Sequence, residues 1–349
     1  THIMKQLLLG RNGKPVLEEY QEMPLQAGYV RVVSDYGAPK HGTELHGYEK
    51  DPFAKVYYDE NTHIFRPREK ELVYDGTSGL GNMWVGRITE IGQGVEGLET
   101  GQRVAGYGNL KNSHTVKAED VLVMPESMTW KVAVCYDPLQ FALGGMREGH
   151  LRLGDKVLIS GLGAIGLMAA QAAKAAGASL VVVTDPIEKR RQAALDNGAD
   201  MAFDPTKEDF GLILRDKTNG IGMDVVIETS GNYKAVEQGI RALAYGGNFA
   251  MVGWLGECHI PINLGYEGHF NQCHFYFSRA CSEPNNDYPR WSFDRICKEA
   301  WDMLCKGMFS CENIVDPVVD FETCDESYLH YIVENPQESV KMGVAFKNQ

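Results

Sequence analysis

The sequence lacks any CxxC cysteine pair, although it contains eight cysteines, seven of them within the last hundred residues. Scattered cysteines in a chain of 349 residues are typical of reduced, mostly buried thiols, not of a disulfide framework or a structural zinc cluster. No run of about 18 apolar residues is present either, which excludes a membrane-spanning helix. Because no apolar signal region follows Met4, we expect a soluble, cytoplasmic protein.

An excess of positive charge is also absent. The formal net charge is −13 and the isoelectric point is near 5.3, and no basic stripe interrupts the sequence. Nucleic acids and anionic membranes are therefore excluded as partners, because either would need a basic face. The hydrophobic fraction of 44% is that of an ordinary globular protein, and the length allows two domains with their own cores.

The centre of the sequence contains a dinucleotide-binding pattern. The apolar run Val157–Ser160 predicts a buried strand, which leads into a glycine-rich turn and then into an alanine-rich helix. In this pattern Gly161 allows the turn, Gly163 lets the backbone approach a pyrophosphate, and Gly166 lets the helix pack closely on the strand. The phosphates would then lie at the helix N-terminus.

A second apolar run, from residue 180 to residue 184, ends in Asp185, about 20 residues after the last glycine of the turn. An acidic residue at this position binds the ribose hydroxyls of the adenosine and repels a 2′-phosphate, so we expect NAD in preference to NADP. The predicted cofactor-binding residues are Gly161, Gly163, Ala164, Ile165, Gly166, Asp185 and Arg190.

The residue pattern changes along the chain in a way that suggests two domains. Residues 5–142 carry short alternating segments typical of an irregular β domain, whereas residues 143–281 alternate strands with helices in the manner of a doubly wound parallel sheet. We therefore predict a β-rich domain from residues 1–142 and 282–349 and a nucleotide-binding domain from residues 143–281. The helix predicted over Ser292–Lys306 would return to the first domain, and a cleft between the domains would bind the ligand.

The run His41-Gly42-Thr43-Glu44-Leu45-His46 resembles the first catalytic motif of the medium-chain dehydrogenase/reductase superfamily, the zinc alcohol and polyol dehydrogenases. The resemblance covers essentially the whole chain and implies a GroES-like β-rich catalytic domain plus a Rossmann domain. It places Thr43 on the relay hydroxyl that touches the substrate oxygen. It places His46 on the relay histidine reached through the nicotinamide ribose, and His41 where the family has a zinc-binding cysteine.

The other zinc-ligand positions of the family also differ here. Asn82 and Met83 stand in place of the histidine and glutamate of a Gly-His-Glu motif, and Asp137 stands near the third ligand position. The four-cysteine lobe that binds structural zinc is missing. We therefore expect a site without metal, although His41, Glu44 and Asp137 could together hold a divalent ion.

Further runs resemble the bacterial D-guloside 3-dehydrogenases, a group within this superfamily: residues 36–44, 135–138, 277–285 and 287–291. This resemblance implies an NAD-dependent oxidoreductase that interconverts a secondary alcohol and a ketone on a sugar, at C3 of a glycoside. The superfamily also implies a homodimer or homotetramer, in which the apolar run 273–277 would form a paired edge strand.

Without zinc, Lys40 and His41 are the predicted residues that stabilise charge on the substrate oxygen or accept its proton, with Asp137 orienting His41 or binding sugar hydroxyls. A solvated Lys40, a hydrogen-bonded turn at His41 and a simple Asp-Pro turn are the plain alternatives. The predicted substrate-binding residues are Asn82, Glu44, Trp84 and Arg279, although core packing is the more common role of a tryptophan.

Two other functions stay open at this point. A zinc-free quinone or enoyl reductase is disfavoured by the pair Thr43 and His46 and by Asp185, since those enzymes usually take NADPH. A catalytically silent nucleotide-binding protein, which has lost its metal site and acts as a sensor or structural module, is the alternative from another class.

Overall fold

The computed structural model describes residues 3–41, 51–279 and 282–347. Within these residues the strands, in chain order, are β1 (Lys5–Leu9), β2 (Pro15–Glu19), β3 (Tyr29–Ala38), β4 (Val56–Asp59), β5 (Ile64–Pro67), β6 (Met83–Ile91), β7 (Arg103–Tyr107), β8 (Ser113–Lys117), β9 (Leu122–Val123), β10 (Lys156–Ser160), β11 (Leu180–Thr184), β12 (Met201–Phe203), β13 (Met223–Glu228), β14 (Leu243–Met251), β15 (His274–Phe277), β16 (Val315–Asp320) and β17 (Lys341–Ala345). The α-helices are α1 (Trp130–Ala133), α2 (Tyr136–Glu148), α3 (Ala164–Ala175), α4 (Glu188–Asp196), α5 (Phe210–Lys217), α6 (Tyr233–Ala242), α7 (Glu267–Phe270), α8 (Phe293–Cys305) and α9 (Cys324–Tyr328). The chain forms two compact units, which we call the β unit (Thr1–Val134 with Val315–Gln349) and the nucleotide unit (Cys135–Ile314).

The nucleotide unit contains a six-stranded, all-parallel sheet in the order β12-β11-β10-β13-β14-β15. This is the doubly wound order, whose switch point lies between β10 and β13. The central strands are continuous runs of valine, leucine and isoleucine because helices cover both faces of such a sheet. The predicted Rossmann domain is therefore confirmed, and β15 lies at one edge of its sheet.

The β unit is built on a second sheet in the order β16-β17-β3-β6-β7-β9, with β8 also paired to β3. Most of its pairs are antiparallel, and β3 and β6 alternate buried and more exposed residues along much of their length, as expected of strands with one face on a core. The hairpins β1–β2 and β4–β5 complete the unit. The predicted pairing of a β-rich domain with a Rossmann domain is thus found.

The boundaries between the two units lie at residues 134/135 and 314/315, whereas the predicted boundaries are at 142/143 and 281/282. Helix α2 packs against α3 and α8, and these contacts place all three helices in the nucleotide unit. The helix predicted over Ser292–Lys306, observed as α8, therefore does not return to the β-rich domain as expected. Sequence could not show this because the assignment depends on which neighbours a helix packs against.

Candidate active site

The glycine turn lies between β10 and α3, at the switch point of the parallel sheet. Gly161 has a φ of +90°, a conformation that L side chains rarely adopt. A Cβ on Gly166 would lie 1.8 Å from the carbonyl oxygen of Gly161, so this contact between helix and turn needs glycine. At Gly163 a Cβ would meet nothing within 4 Å. That open space lies before the N-terminus of α3, which favours a phosphate group, so the turn fits a dinucleotide.

Asp185 follows β11 and is almost fully buried beside this turn. One carboxylate oxygen accepts the N–H of Leu162 at 2.8 Å, and the other accepts the N–H of Ile187 at 2.8 Å. The carboxylate thus ties the end of β11 both to the glycine turn and to the start of α4. Each oxygen has a further lone pair, so Asp185 can still accept from ribose hydroxyls.

Two arginines lie near the start of α4. Burial lowers the pKa of Arg190, and the neighbouring charge of Asp185 opposes that effect. Arg191, which the sequence analysis did not single out, donates to the backbone oxygen of Asp185 at 2.9 Å and lies 3.8 Å from the carboxylate of Asp204. Its guanidinium therefore stabilises the end of β11.

Glu228, which the sequence analysis did not single out, lies beside the glycine turn. It ends β13, pairs in register with Ser160 and is fully buried. One oxygen of its carboxyl accepts the N–H groups of Ser230 at 2.5 Å and Gly231 at 3.0 Å, and also the Ser230 hydroxyl. Burial raises the pKa of Glu228 to about 7, against the lowering effect of those bonds. The sequence signal that could have pointed to Glu228 is an acidic residue at the end of an otherwise apolar strand.

In the β unit, the candidate catalytic residues follow β3. Nε2 of His41 accepts the backbone N–H of Met342 at 2.9 Å, so a neutral His41 carries its proton on Nδ1. The neighbouring Lys341 is almost fully buried, and its ammonium donates to the carbonyl of Pro39 at 3.2 Å. Strand β17 thus supports the segment that carries Lys40 and His41. Thr43, Glu44 and His46 lie outside the described residues.

Asn82 directly precedes β6 and Trp84 lies within it, and their surroundings differ. The N–H of Asn82 donates to the carbonyl of Ala38 at 3.0 Å, which places Asn82 near the end of β3. Trp84 is only 1% exposed, stacks on His114 at 4.7 Å and donates its indole N–H to the carbonyl of Tyr107. Burial also lowers the pKa of His114 to about 3. Trp84 is therefore a core residue, and its predicted role as a substrate-binding ring is wrong.

Asp137 and Arg279 belong to the nucleotide unit. Asp137 is buried in the first turn of α2, facing α8. Burial raises the pKa of Cys297 on α8, and the carboxylates of Asp294 and Asp137 add to that rise. Arg279 is exposed and follows β15 by two residues. It therefore lies along the edge of the sheet that the carboxyl ends of the parallel strands form, where β10 and β13 also end. The fold thus brings Arg279 to the same edge as the glycine turn.

A catalytic zinc ion needs three protein ligands of the His, Cys or carboxylate kind. Among the residues whose placement is described, no three such side chains are arranged to hold a metal ion. His41 already engages Nε2 with a backbone amide. Of the residues predicted for a rearranged metal site, Glu44 lies outside the described ranges.

Across residues 3–41, 51–279 and 282–347, no helix has both the length and the apolar character needed to cross a membrane.

Comparison with known proteins agrees with this architecture. A family model described as zinc-binding dehydrogenase matches residues 164–296. D-guloside 3-dehydrogenase of Escherichia coli K12 is 42% identical over 350 residues, covering 98% of this chain and 100% of that protein.

Two solved structures share the fold over 99% of this chain and 100% of their own. One is ECK1772 of Escherichia coli, an oxidoreductase/dehydrogenase of unknown specificity, with a TM-score of 0.79 and 18% identity. The other is the alcohol dehydrogenase rspB of Escherichia coli CFT073 complexed with NADH, with a TM-score of 0.74 and 20% identity. This chain belongs to the medium-chain dehydrogenase/reductase superfamily and is an oxidoreductase, a dehydrogenase acting on alcohol groups.

Proposed function

We propose that this chain is an NAD-dependent dehydrogenase that interconverts the C3 alcohol of a glycoside and the corresponding 3-keto-glycoside. The observation that carries the proposal is the 42% identity with D-guloside 3-dehydrogenase, which extends over that protein's whole length. A match of that extent includes the segments outside the glycine turn, where substrate specificity resides in folds of this kind.

The nucleotide half of the site supports NAD. The glycine turn and the N-terminus of α3 would hold the pyrophosphate, and Asp185 would accept the ribose hydroxyls. A carboxylate at this position repels a 2′-phosphate, and Arg191 is already engaged by Asp185 and Asp204. Bound there, the cofactor would supply the hydride acceptor or donor for the reacting sugar carbon.

The residues after β3 would handle the substrate oxygen. In oxidation the substrate hydroxyl would pass its proton to Thr43 and on to His46, the relay that the sequence resemblance implies, while its carbon loses a hydride. The oxygen then carries alkoxide character, which a nearby ammonium or N–H donor would stabilise. Lys40 can supply the ammonium. His41 can supply the Nδ1 side of its ring, because Met342 holds Nε2. Lys341, through its bond to Pro39, is a positioning residue for both.

The sugar itself would be bound by polar side chains. Asn82 both donates and accepts, as recognition of sugar hydroxyls requires. The other proposed sugar-binding residues, retained from the sequence resemblance, are Arg279, Asp137 and Glu44.

The test is a reaction panel in which NAD and NADP are each offered with glycosides, their 3-keto forms and simple polyols. We expect reduction of NAD with a glycoside and formation of a 3-keto product identified by NMR. Zinc analysis of the purified protein and treatment with a chelator accompany the panel, and we expect little metal and unchanged activity. A protein that binds NAD but turns over no glycoside or polyol would overturn the proposal.

A further inference from the structure

A cavity with a volume of about 480 Å³ lies in the nucleotide unit. Its walls come from the C-terminal ends of α2, α3 and α8, from residues 150–152 and 308–309, and from the segment 287–291. Volumes of this size are typical of sites for small molecules.

The cavity is separate from the glycine turn that would bind the dinucleotide. Ala172, Ala175 and Ala176 line it at the C-terminal end of α3, whereas the glycine turn lies at the N-terminal end of the same helix. A helix of 12 residues is about 18 Å long. A ligand in the cavity would therefore leave the nucleotide position free.

The floor of the cavity is apolar and adaptable. Met146 and Met303 contribute to it together with Leu143 and Phe309, and the exposed Met308 also lines the cavity. Methionine side chains have several rotatable bonds and a polarisable sulfur atom, so they accommodate ring systems and acyl chains of varied shape. These walls therefore favour a ligand with an apolar body.

The rim has the opposite charge to the rest of the protein. Three arginines, Arg147, Arg152 and Arg290, line the cavity against one carboxylate, Asp287, which leaves two positive charges in a chain whose net charge is −13. Asp287 pairs with Arg147 at 2.8 Å. Arg152 and Arg290 are exposed and form no ion pair with any described residue. Their charge is thus available to an anion.

Trp291 contacts two arginines at this rim. The guanidinium of Arg147 lies 3.7 Å from its ring centre and that of Arg295 lies 4.0 Å from it. Because Trp291 stacks with both cations, its ring does not offer a free face to a sugar. Asp287, Arg290 and Trp291, from one of the runs that carry the sequence resemblance, line this cavity.

We propose that this cavity is a second binding site, separate from the dehydrogenase site, for a small amphipathic anion: an aromatic or acyl body in the methionine-lined floor and one anionic group between Arg152 and Arg290. Volume, apolar floor and unpaired positive charge each support the same class of ligand.

The test uses the fluorescent probe 8-anilinonaphthalene-1-sulfonate, titrated into the full-length protein first without NAD and then with saturating NAD present. We expect one probe per chain. Arg290→Glu should weaken binding about tenfold, because one attraction becomes a repulsion. Met303→Trp, which fills the floor, should weaken it at least as much. The matched control is Lys298→Glu, an exposed charge reversal on α8 outside the cavity, and it should change nothing.

A neutral probe separates the two parts of the proposal. N-phenyl-1-naphthylamine has the same ring system without the sulfonate, so Met303→Trp should weaken its binding and Arg290→Glu should not. Unchanged binding of the anionic probe in both cavity variants, or displacement of the probe by NAD, would overturn the proposal. Loss of probe binding as the protein concentration rises would show that a second copy of the chain occupies the cavity, and would overturn it too. Unaltered dehydrogenase activity in each variant shows that the chain has folded.

Discussion

The backbone N–H of Met342 donates to Nε2 of His41 at 2.9 Å, although 301 positions separate the two residues in the sequence. This bond requires the neutral imidazole, since a proton on Nε2 would face the amide proton. It therefore selects the tautomer with Nδ1–H and orients the ring relative to β17. His41, which the sequence resemblance aligns with a zinc-binding cysteine, is thus held by the backbone.

Replacement of His41 by Ala should lower turnover by on the order of 10²–10³, because it removes the Nδ1–H donor to the substrate oxygen, while NAD binding stays intact. His46→Ala should have a much smaller effect, because water can replace the end of a proton relay. Steady-state kinetics together with NAD titration measure both effects. His330→Ala, an exposed histidine paired with Glu338, serves as the control and should leave turnover unaltered. Equal and small effects at His41 and His46 would instead implicate Lys40 or Asp137.

Replacement of Asp185 by Ser should weaken NAD binding by about tenfold to a hundredfold and shift the preference towards NADP. The substitution removes both the ribose acceptor and the anchor of Leu162. Asp200→Ser is a matched control, because that carboxylate accepts the N–H of Val181 at the opposite edge of the same sheet. The control should lower stability without changing the ratio of NAD to NADP affinity. An unchanged ratio in Asp185→Ser would refute the cofactor assignment.

Two glycine variants should separate binding from folding. Gly163→Ala places a methyl group in open space and should preserve the melting temperature, but it should weaken NAD binding about tenfold by obstructing the pyrophosphate. Gly166→Ala places a Cβ against the Gly161 carbonyl and should lower the melting temperature by several degrees. Thermal denaturation without cofactor and NAD titration measure the two effects. Normal NAD affinity in Gly163→Ala would place the pyrophosphate elsewhere.

The buried carboxyl of Glu228 should make stability depend on pH. Its pKa is raised from the usual value near 4.5 to about 7, chiefly by burial. Between these pH values the folded chain holds a proton that the unfolded chain has released, so the free energy of unfolding should fall as pH rises through this range, by about 3 kcal/mol in all. Above pH 7 this contribution should level off.

Glu228→Gln removes that ionisation, so the melting temperature of the variant relative to the parent protein should increase from pH 5 to pH 8. Thermal denaturation at unit steps of pH measures the difference. The exposed Glu188, in the first turn of α4, provides the control substitution Glu188→Gln, which should follow the parent protein at every pH. If Glu228→Gln and the parent protein show parallel pH profiles, Glu228 is not the responsible group.

The sequence alone determined the unit from β10 through the glycine turn and α3 to β11. Its signals are local: apolar runs, glycine spacing, and an acid at a set distance from the turn. The observed bounds differ from the predicted ones by about a residue, as with β10 at Lys156–Ser160 against a predicted Val157–Ser160. The superfamily and the two kinds of domain could also be read from sequence motifs, because those motifs are contiguous.

Tertiary structure decided what depends on distant neighbours. The sequence placed Trp84 among the substrate-binding candidates, but the pairing of β6 with β7 buries its ring against His114. Glu228 gained its raised pKa from complete burial beside the glycine turn, and α8 joined the nucleotide unit through its packing on α2. Such properties depend on contacts between residues far apart in the chain, and a hydrophobic pattern specifies that a face is buried without specifying what covers it.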